Sequence, residues 1–175
     1  KASEYQDGHP GYSDPLDEQN FLVNSINQIE KSKYWSSTAI VVTYDDSDGW
    51  YDHQAPTIIN GSSNPAIDTS LCTSVAVTVG TTSGRCGFSQ RLPMVVISPW
   101  TRENYVSHTL TNTASVVKFV EDNWLHGERI PGSFDAVSGS LYAPGGLLDF
   151  HTRPHIAPVI LSPTTGAVVT SLSKH

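Results

Sequence analysis

The sequence predicts an α/β fold, because strand and helix patterns alternate along the chain. Two segments, residues 38–44 and 92–98, are β-branched and apolar on both faces, as a strand in the middle of a parallel sheet must be. Residues 17–31 and 113–124 have apolar side chains at helical spacing. Helix, buried strand, long connection, buried strand and helix is an order typical of α/β domains.

The individual elements have local signals of their own. Acidic residues fill the first turn of the segment 17–31 and Lys31 lies in its last, which favours a helix electrostatically. The segment 113–124 places Val116, Val120 and Trp124 on one side, as in an amphipathic helix. Near the C-terminus, residues 159–161 and 167–169 flank a Pro-Thr-Thr-Gly turn, which predicts a hairpin at an edge of the fold.

Composition and charge exclude some classes of function. The 175 residues have a formal net charge of -7, which argues against nucleic acid as a partner because phosphate backbones are bound by clustered Lys and Arg. No run of about 18 apolar residues is present, so we expect no transmembrane segment. An acidic chain can still act on phosphate esters if a divalent cation supplies positive charge.

The two cysteines point to an exported protein. Cys72 and Cys86 lack the spacing of a zinc site, and a disulfide between them is favoured over two thiols. The N-terminus has neither a signal peptide nor an initiator Met, so we expect a processed chain or a piece of a longer one.

The most informative segment follows the first predicted strand and contains Asp45, Asp46, Asp48 and His53. Ligands of α/β sheets bind beyond the carboxyl ends of strands, and adjacent carboxylates repel each other unless a cation lies between them. The alternative is a solvated turn that bends at Gly49. An EF-hand is excluded, because its register would put a tyrosine at the first ligand position.

Other polar and aromatic side chains are weaker candidates. His151 and His155 are spaced like a zinc pair, but Pro154 disfavours the helix that such a pair needs. Arg91 either steers an anionic substrate or pairs with a nearby acid. A structural role is the default expectation for His108, Trp100 and Tyr105. Arg85, like Arg91, either steers an anionic substrate or pairs with a nearby acid.

Six segments, taken in order, resemble the phosphoesterase family of the alkaline phosphatase superfamily, which contains bacterial phospholipases C and acid phosphatases. They are residues 5–19 (YQDGHPGYSDPLDEQ), 43–53 (TYDDSDGWYDH), 84–87 (GRCG), 91–93 (RLP), 97–99 (ISP) and 121–124 (EDNW).

This resemblance implies a three-layer α/β sandwich with a central, mostly parallel sheet, of which the chain supplies roughly the C-terminal half. Residues 1–150 are then the C-terminal part of the phosphoesterase domain, and residues 151–175 its edge hairpin or tail. The family's hydroxyl nucleophile and its early Glu-Asn metal-binding pair have no match here. The expected partner is therefore the N-terminal part of the same protein.

The resemblance also implies roles for individual residues. Asp45 and Asp46 match the pair that holds one divalent metal ion, for which Mg, Ca, Mn and Fe stay open. His9 matches a histidine that contacts the phosphoryl group or leaving oxygen, in its protonated form as a proton donor. His53, the other candidate catalytic histidine, is expected to support the site.

The function implied is hydrolysis of a phosphomonoester or a phospholipid by in-line phosphoryl transfer, in a secreted or periplasmic enzyme. The alternative is a non-catalytic secreted binding module, or an inactive fragment of such an enzyme.

Overall fold

The structure, a computed structural model, describes residues 2–48, 50–56, 88–130, 133–142 and 144–169. Within them lie helix α1 (Pro15–Glu30), strand β1 (Ile40–Thr43), strand β2 (Met94–Ile97) and helix α2 (Ala114–Trp124). Short 3-10 helices cover Glu4–Gln6, Trp35–Ser37 and Phe134–Ala136. The predicted α/β class is confirmed, and each of the four main elements lies inside its predicted segment or within two residues of it.

The two strands pair with each other, and they run antiparallel. Side-chain bonds at both ends show the register, since the hydroxyl of Ser98 donates to the carbonyl of Thr38 and that of Thr43 donates to the carbonyl of Pro93. The prediction of parallel strands is therefore wrong for this pair. Neither strand is fully buried: Val95 is 54% exposed and the rest of both strands is exposed or half-buried.

Two compact units make up the chain. The first consists of Lys1–Val42, Val95–Thr101 and Phe150–His175, and the second of Thr43–Met94 and Arg102–Asp149. The buried apolar side chains among the described residues are Val23 and Trp35 in the first unit and Leu141 and Leu148 in the second.

Helix α1 begins with a side-chain cap, two residues before its predicted start. Asp14 accepts a hydrogen bond from the Leu16 amide at 2.7 Å, and Pro15 takes the first helical position, where a missing N–H costs nothing. The helix ends at Glu30, and the amide of Lys31 closes the last turn on the carbonyl of Asn27.

The buried face of α1 is largely polar, and its polar groups bind the main chain of the tail. Asn27 donates to the Leu161 carbonyl at 2.8 Å and accepts from the Leu161 amide at 3.1 Å. Glu30 accepts from the Val159 amide, and Gln19 donates to the Pro163 carbonyl. Alternate tail residues thus face one stripe of the helix, as the period of an extended chain requires.

The tail folds back on itself, although its pairing is short. Leu161 and Val168 form an antiparallel bridge, and the Val169 amide donates to the Ile160 carbonyl at 2.9 Å. Gly166, with φ 69°, makes the turn in a region where a β-carbon would be strained.

Replacement of Asn27 by alanine is expected to loosen the tail. Both main-chain groups of Leu161 lose their partner, and a part-buried polar group without a partner costs roughly 1–3 kcal/mol. Hydrogen exchange at the Leu161 amide is the measurement, with faster exchange expected. Asn24→Ala is the matched control, because exposed Asn24 bonds to Asn20 one turn away and not to the tail. Equal exchange in the two variants would contradict the role of Asn27.

In the second unit, two buried carboxyl groups meet between α2 and the 3-10 helix Phe134–Ala136. Glu121 is 3% exposed and Asp135 is fully buried. Asp135 Oδ2 accepts from the Ile130 amide at 2.9 Å, but Oδ1 has no other donor among the described residues. We expect a proton on Glu121 to bond to Asp135. Arg129 bonds to Glu121 at 3.4 Å and to Asp122, so one cation offsets part of the charge.

The pKa shifts of this pair have opposite signs. Burial and the neighbouring Asp135 raise the pKa of Glu121 above its usual 4.5. Burial opposes ionisation of Asp135 as well, yet hydrogen bonds from Ser133 and the Ile130 amide lower its pKa below 3.8. Of the two carboxyl groups, Glu121 is therefore the one that ionises at the higher pH.

Glu121→Gln is expected to remove a pH dependence of stability. Because the folded pKa of Glu121 lies above its unfolded value, the wild-type free energy of unfolding falls as the pH rises from about 4.5 through the folded pKa. Glutamine donates to Asp135 without titrating, so that decrease should disappear. Urea unfolding over pH 4–8 measures it, with exposed Glu128→Gln as control. An unchanged pH slope in Glu121→Gln would show that no proton is held there.

Candidate active site

The segment after β1 is a tight turn that presents two exposed carboxylates. Asp45 and Asp46 follow the strand after one residue, and both are exposed. Asp46 Oδ1 accepts from the Asp48 amide at 2.7 Å, and Asp48 adopts a left-handed conformation with φ 47°. The Trp50 amide then donates to the Ser47 carbonyl at 2.7 Å. The acidic pair is therefore held in a defined turn.

The donor chemistry of this turn suits a hard divalent cation, but this part of the chain offers an incomplete ligand set. Carboxylate oxygens are the ligands that Mg²⁺, Ca²⁺ and Mn²⁺ prefer. One oxygen of Asp46 is already bonded to the main chain. Among the described residues, no group of three or more His, Cys, Asp or Glu side chains is placed to hold a metal ion. Asp45 and Asp46 would thus be two ligands of a larger set.

Asp52, six residues beyond Asp46, joins this loop to the segment that enters β2. Its carboxylate accepts from the guanidinium of Arg91, with the shortest contact 2.7 Å from Nη2 to Oδ1. It also accepts from the main-chain amide of Arg91 at 2.9 Å and from that of Gln54 at 3.0 Å. We call Asp52, Arg91 and the Gln54 amide the Asp52 clamp.

The electrostatics of the clamp follow from these bonds. The guanidinium of Arg91, together with the two amides, lowers the pKa of Asp52 far below its usual 3.8, and Asp52 raises the pKa of Arg91 in turn. Of the two roles expected for Arg91, steering an anion or pairing with an acid, the structure shows the pairing. Arg85 lies outside the described residues.

The remaining side chains of the loop are aromatic or exposed. Trp50 is 65% exposed and Tyr51 is 81% exposed. The His53 ring stands edge-on to Tyr51, with ring centroids 4.9 Å apart, and it is exposed next to the clamped Asp52. Asp45, Asp46 and His53 thus belong to one loop of the second unit.

His9 belongs to the first unit, in the loop before α1. Its Nδ1 accepts from the Gly11 amide at 3.1 Å, its own amide donates to Asp7, and its ring stacks on Tyr12 with centroids 4.2 Å apart. Because Nδ1 is an acceptor here, the ring carries its proton on Nε2. The protonated form predicted from the sequence requires this bond to Gly11 to break.

Several weaker candidates have structural roles, as expected. Trp100 donates to the Ser36 carbonyl and packs on Phe150, and the Tyr105 hydroxyl bonds to the Gly145 carbonyl. His108, His151 and His155 are exposed and lie in loops. The predicted disulfide between Cys72 and Cys86 lies outside the described residues.

Sequence reasoning assigned no role to two acids with little exposed side-chain surface, Asp52 and Asp135. Asp52 is 39 residues from Arg91 along the chain, so no local pattern connects them. The antiparallel pairing of β1 with β2, which the sequence did not predict, brings the two segments together. The Glu121–Asp135 contact has no periodic signal, because Asp135 follows an irregular segment.

Comparison with known proteins gives consistent matches. The family model described as "Phosphoesterase family" matches residues 1–125, well over half of the chain. A "Non-hemolytic phospholipase C" of Burkholderia pseudomallei is 34% identical over 90 residues, 50% of this chain and 13% of that protein. A protein of the same name from Pseudomonas aeruginosa is 28% identical over 124 residues, 66% of this chain and 18% of that protein.

A plant protein matches the same chain. The "Non-specific phospholipase C1" of Arabidopsis thaliana is 30% identical over 105 residues, which are 58% of this chain and 17% of that protein. The chain therefore spans less than a fifth of the length of these curated relatives. In the described part of the chain, neither helix has the length and apolar character needed to cross a bilayer.

Proposed function

Because this chain belongs to the phosphoesterase family, we propose that it is part of a secreted, metal-dependent hydrolase of phosphoric esters. The observation that supports this most directly is the Asp45–Asp46 pair, exposed in a fixed turn just beyond β1 and inside the matched residues. A disulfide between Cys72 and Cys86 and an extracellular or periplasmic location complete the proposal.

The rest of the protein completes the fold and the site in this proposal. The α/β elements of this chain would join an N-terminal part in a three-layer sandwich, and that part would supply the hydroxyl nucleophile and an early Glu-Asn metal-binding pair. The exposure of both β1 and β2 is compatible with further layers, since strands of such sheets are covered on both faces.

Asp45 and Asp46 would hold the divalent cation through carboxylate oxygens, with Mg, Ca, Mn and Fe as candidates. When bound, such a cation offsets the negative charge that builds up on the phosphoryl oxygens. Asp46 would bind through Oδ2, because Oδ1 accepts the Asp48 amide. The Asp46 side chain would then stabilise the turn through one oxygen and bind the ion through the other.

His9 would donate a hydrogen bond from Nε2 to the phosphoryl group or the leaving oxygen. The Gly11 amide supports this role, because it occupies Nδ1 and leaves the ring proton on Nε2. Stacking on Tyr12 restricts the ring further. His53 would support the acidic loop rather than take part in proton transfer.

The relatives favour a phospholipid as the substrate. The Burkholderia, Pseudomonas and Arabidopsis proteins are all phospholipases C by name. The reaction would be in-line displacement at phosphorus, with release of the phosphorylated headgroup and cleavage of the ester bond to the glycerol. A phosphomonoester is the second substrate class, and it requires only room for a terminal phosphate.

A non-catalytic binding module is the second candidate function. It is favoured by the bond from the Asp48 amide to Asp46, which gives that carboxylate a structural role without any metal. The incomplete ligand set among the described residues points the same way.

Asp46→Asn separates the two candidates. Asparagine keeps an oxygen for the Asp48 amide, so the turn should persist, but it removes the charge that a metal ligand needs. In the full-length protein we expect loss of bound metal and a drop in kcat/KM of more than about 100-fold. Even mutation of residues that only hydrogen-bond to a metal ligand lowers affinity or activity by up to about 100-fold. Metal content and hydrolysis of a chromogenic phosphocholine diester and of a phosphomonoester measure the effect.

Asp48→Asn is the matched control. It removes a carboxylate two residues away, and asparagine tolerates the left-handed conformation found there. Normal metal content and turnover are expected. Full activity and metal content in Asp46→Asn would rule out Asp46 as a ligand, and a wild-type protein without metal or hydrolysis would favour the binding module.

A further inference from the structure

We propose that Asp52 is a positioning residue, which fixes the loop of Asp45, Asp46 and His53 by binding Arg91 and the Gln54 amide. The proposal rests on the proposed function for its effect on turnover. Its structural part, the fixing of the loop, stands on the geometry of the Asp52 clamp and can be measured without any substrate.

In the Asp52 clamp, the carboxylate of Asp52 is the shielded group and the guanidinium of Arg91 is the exposed one. The side chain of Asp52 is 11% exposed, whereas that of Arg91 is 73% exposed. An exposed ion pair alone contributes little to stability. Asp52, however, also accepts from two main-chain amides, at 2.9 and 3.0 Å, and such bonds are not lost when a long side chain moves. Asp52 therefore remains held when Arg91 is mobile.

The clamp determines the path of the chain on both sides of Asp52. The amide of Gln54 ties the carboxylate to its own loop, and the amide of Arg91 ties that loop to the segment that enters β2. Between the acidic turn and Asp52 lie only a few residues, including exposed Trp50 and Tyr51, whose side chains bury little surface. With so little apolar packing, polar bonds must hold the loop.

A second contact joins the same two segments. The Ser47 hydroxyl donates to Gln90 at 3.4 Å, one residue before Arg91. This bond is long and lies at the surface, so it is the weaker of the two. Loss of the clamp should therefore release the acidic loop, which would then sample conformations in which its carboxylates are misplaced.

Misplacement of ligands affects the reaction more than the binding of substrate. Mutation of a residue that orients a metal ligand typically lowers activity or metal affinity about 10–100-fold. If Asp52 acts only through the loop, its loss lowers kcat and metal affinity while KM for the phosphoester changes little. If Arg91 instead binds the anionic substrate directly, its loss raises KM first.

The experiment compares Asp52→Asn and Arg91→Gln in the full-length protein. Asp52→Asn keeps the size of the side chain but loses the charge and one acceptor oxygen. Arg91→Gln removes the guanidinium but keeps the main-chain N–H that bonds to Asp52. Arg102→Gln is the matched control, because Arg102 lies in the same unit and its 3.9 Å ion pair with Asp149 and its stacking over the Tyr105 ring both lie outside the clamp.

Two readouts are needed. The first is hydrogen exchange at the Arg91 and Gln54 amides without substrate, where we expect Asp52→Asn to exchange about 10-fold faster at one or both, and Arg91→Gln to change less. The second is steady-state kinetics at saturating metal, where Asp52→Asn should lower kcat about 10-fold or more, with KM within about 3-fold of wild type.

Unchanged amide exchange in Asp52→Asn would overturn the clamp, whatever the activity. Normal kcat in Asp52→Asn, in a protein that Asp46→Asn inactivates, would overturn the positioning role while the proposed function stands. Faster exchange in Asp52→Asn than in wild type, together with no hydrolysis by the wild-type protein, would support the clamp and refute the enzyme. A rise in KM in Arg91→Gln at constant kcat would assign Arg91 to substrate binding and overturn the proposal.

Discussion

The antiparallel pairing of β1 with β2 determines which segments meet around the acidic turn. In such a pair, the end of one strand lies beside the start of the other. The residues that leave β1 are therefore brought to the residues that enter β2, and three successive contacts follow: Thr43 with Pro93, Ser47 with Gln90, and Asp52 with Arg91. A parallel pairing would separate these segments by the length of a strand.

Hydrogen bonds and ion pairs stabilise much of the described structure in both units. Few apolar side chains among the described residues are buried, whereas seven polar or charged ones are. Each buried polar group must find a partner, because an unsatisfied one is costly. Helix α1 meets this requirement with the main chain of the tail, and Glu121 of α2 meets it with Asp135 and Arg129. Both solutions include a titratable group, because burial raises the pKa of Glu30 in α1 as well as that of Glu121 in α2.

The sequence was a good guide to elements whose signals are local. The acidic first turn and the apolar stripe located α1 to within two residues, because both lie within the helix itself, whereas the cap at Asp14 was not predicted. Both strands were located by composition, but their direction of pairing was not, since it depends on hydrogen bonds between residues about 50 or more apart. The Asp45–Asp46 turn was recognised, and the bond from the Asp48 amide confirms the turn.

Long-range contacts explain what could not be predicted. Asn27 and Glu30 look like ordinary helix residues, and only the fold places them against a tail about 130 residues away. The same holds for Asp52, which the family motif includes without stating its partner. Buried acids are thus the residues for which sequence patterns are least informative, because their protonation and partners depend on neighbours from other segments.

The way α1 holds the tail has an evolutionary consequence. Its bonds end on main-chain amides and carbonyls of Val159, Leu161 and Pro163, which nearly every amino acid provides. Side chains of the tail can therefore be replaced without loss of its register, with proline at 159 or 161 as the exception because it lacks an N–H. Gln19, Asn27 and Glu30 of the helix, by contrast, bind the tail through their side chains, so substitutions there would remove these bonds. Divergence should accumulate in the tail, while selection acts on the helix that binds it.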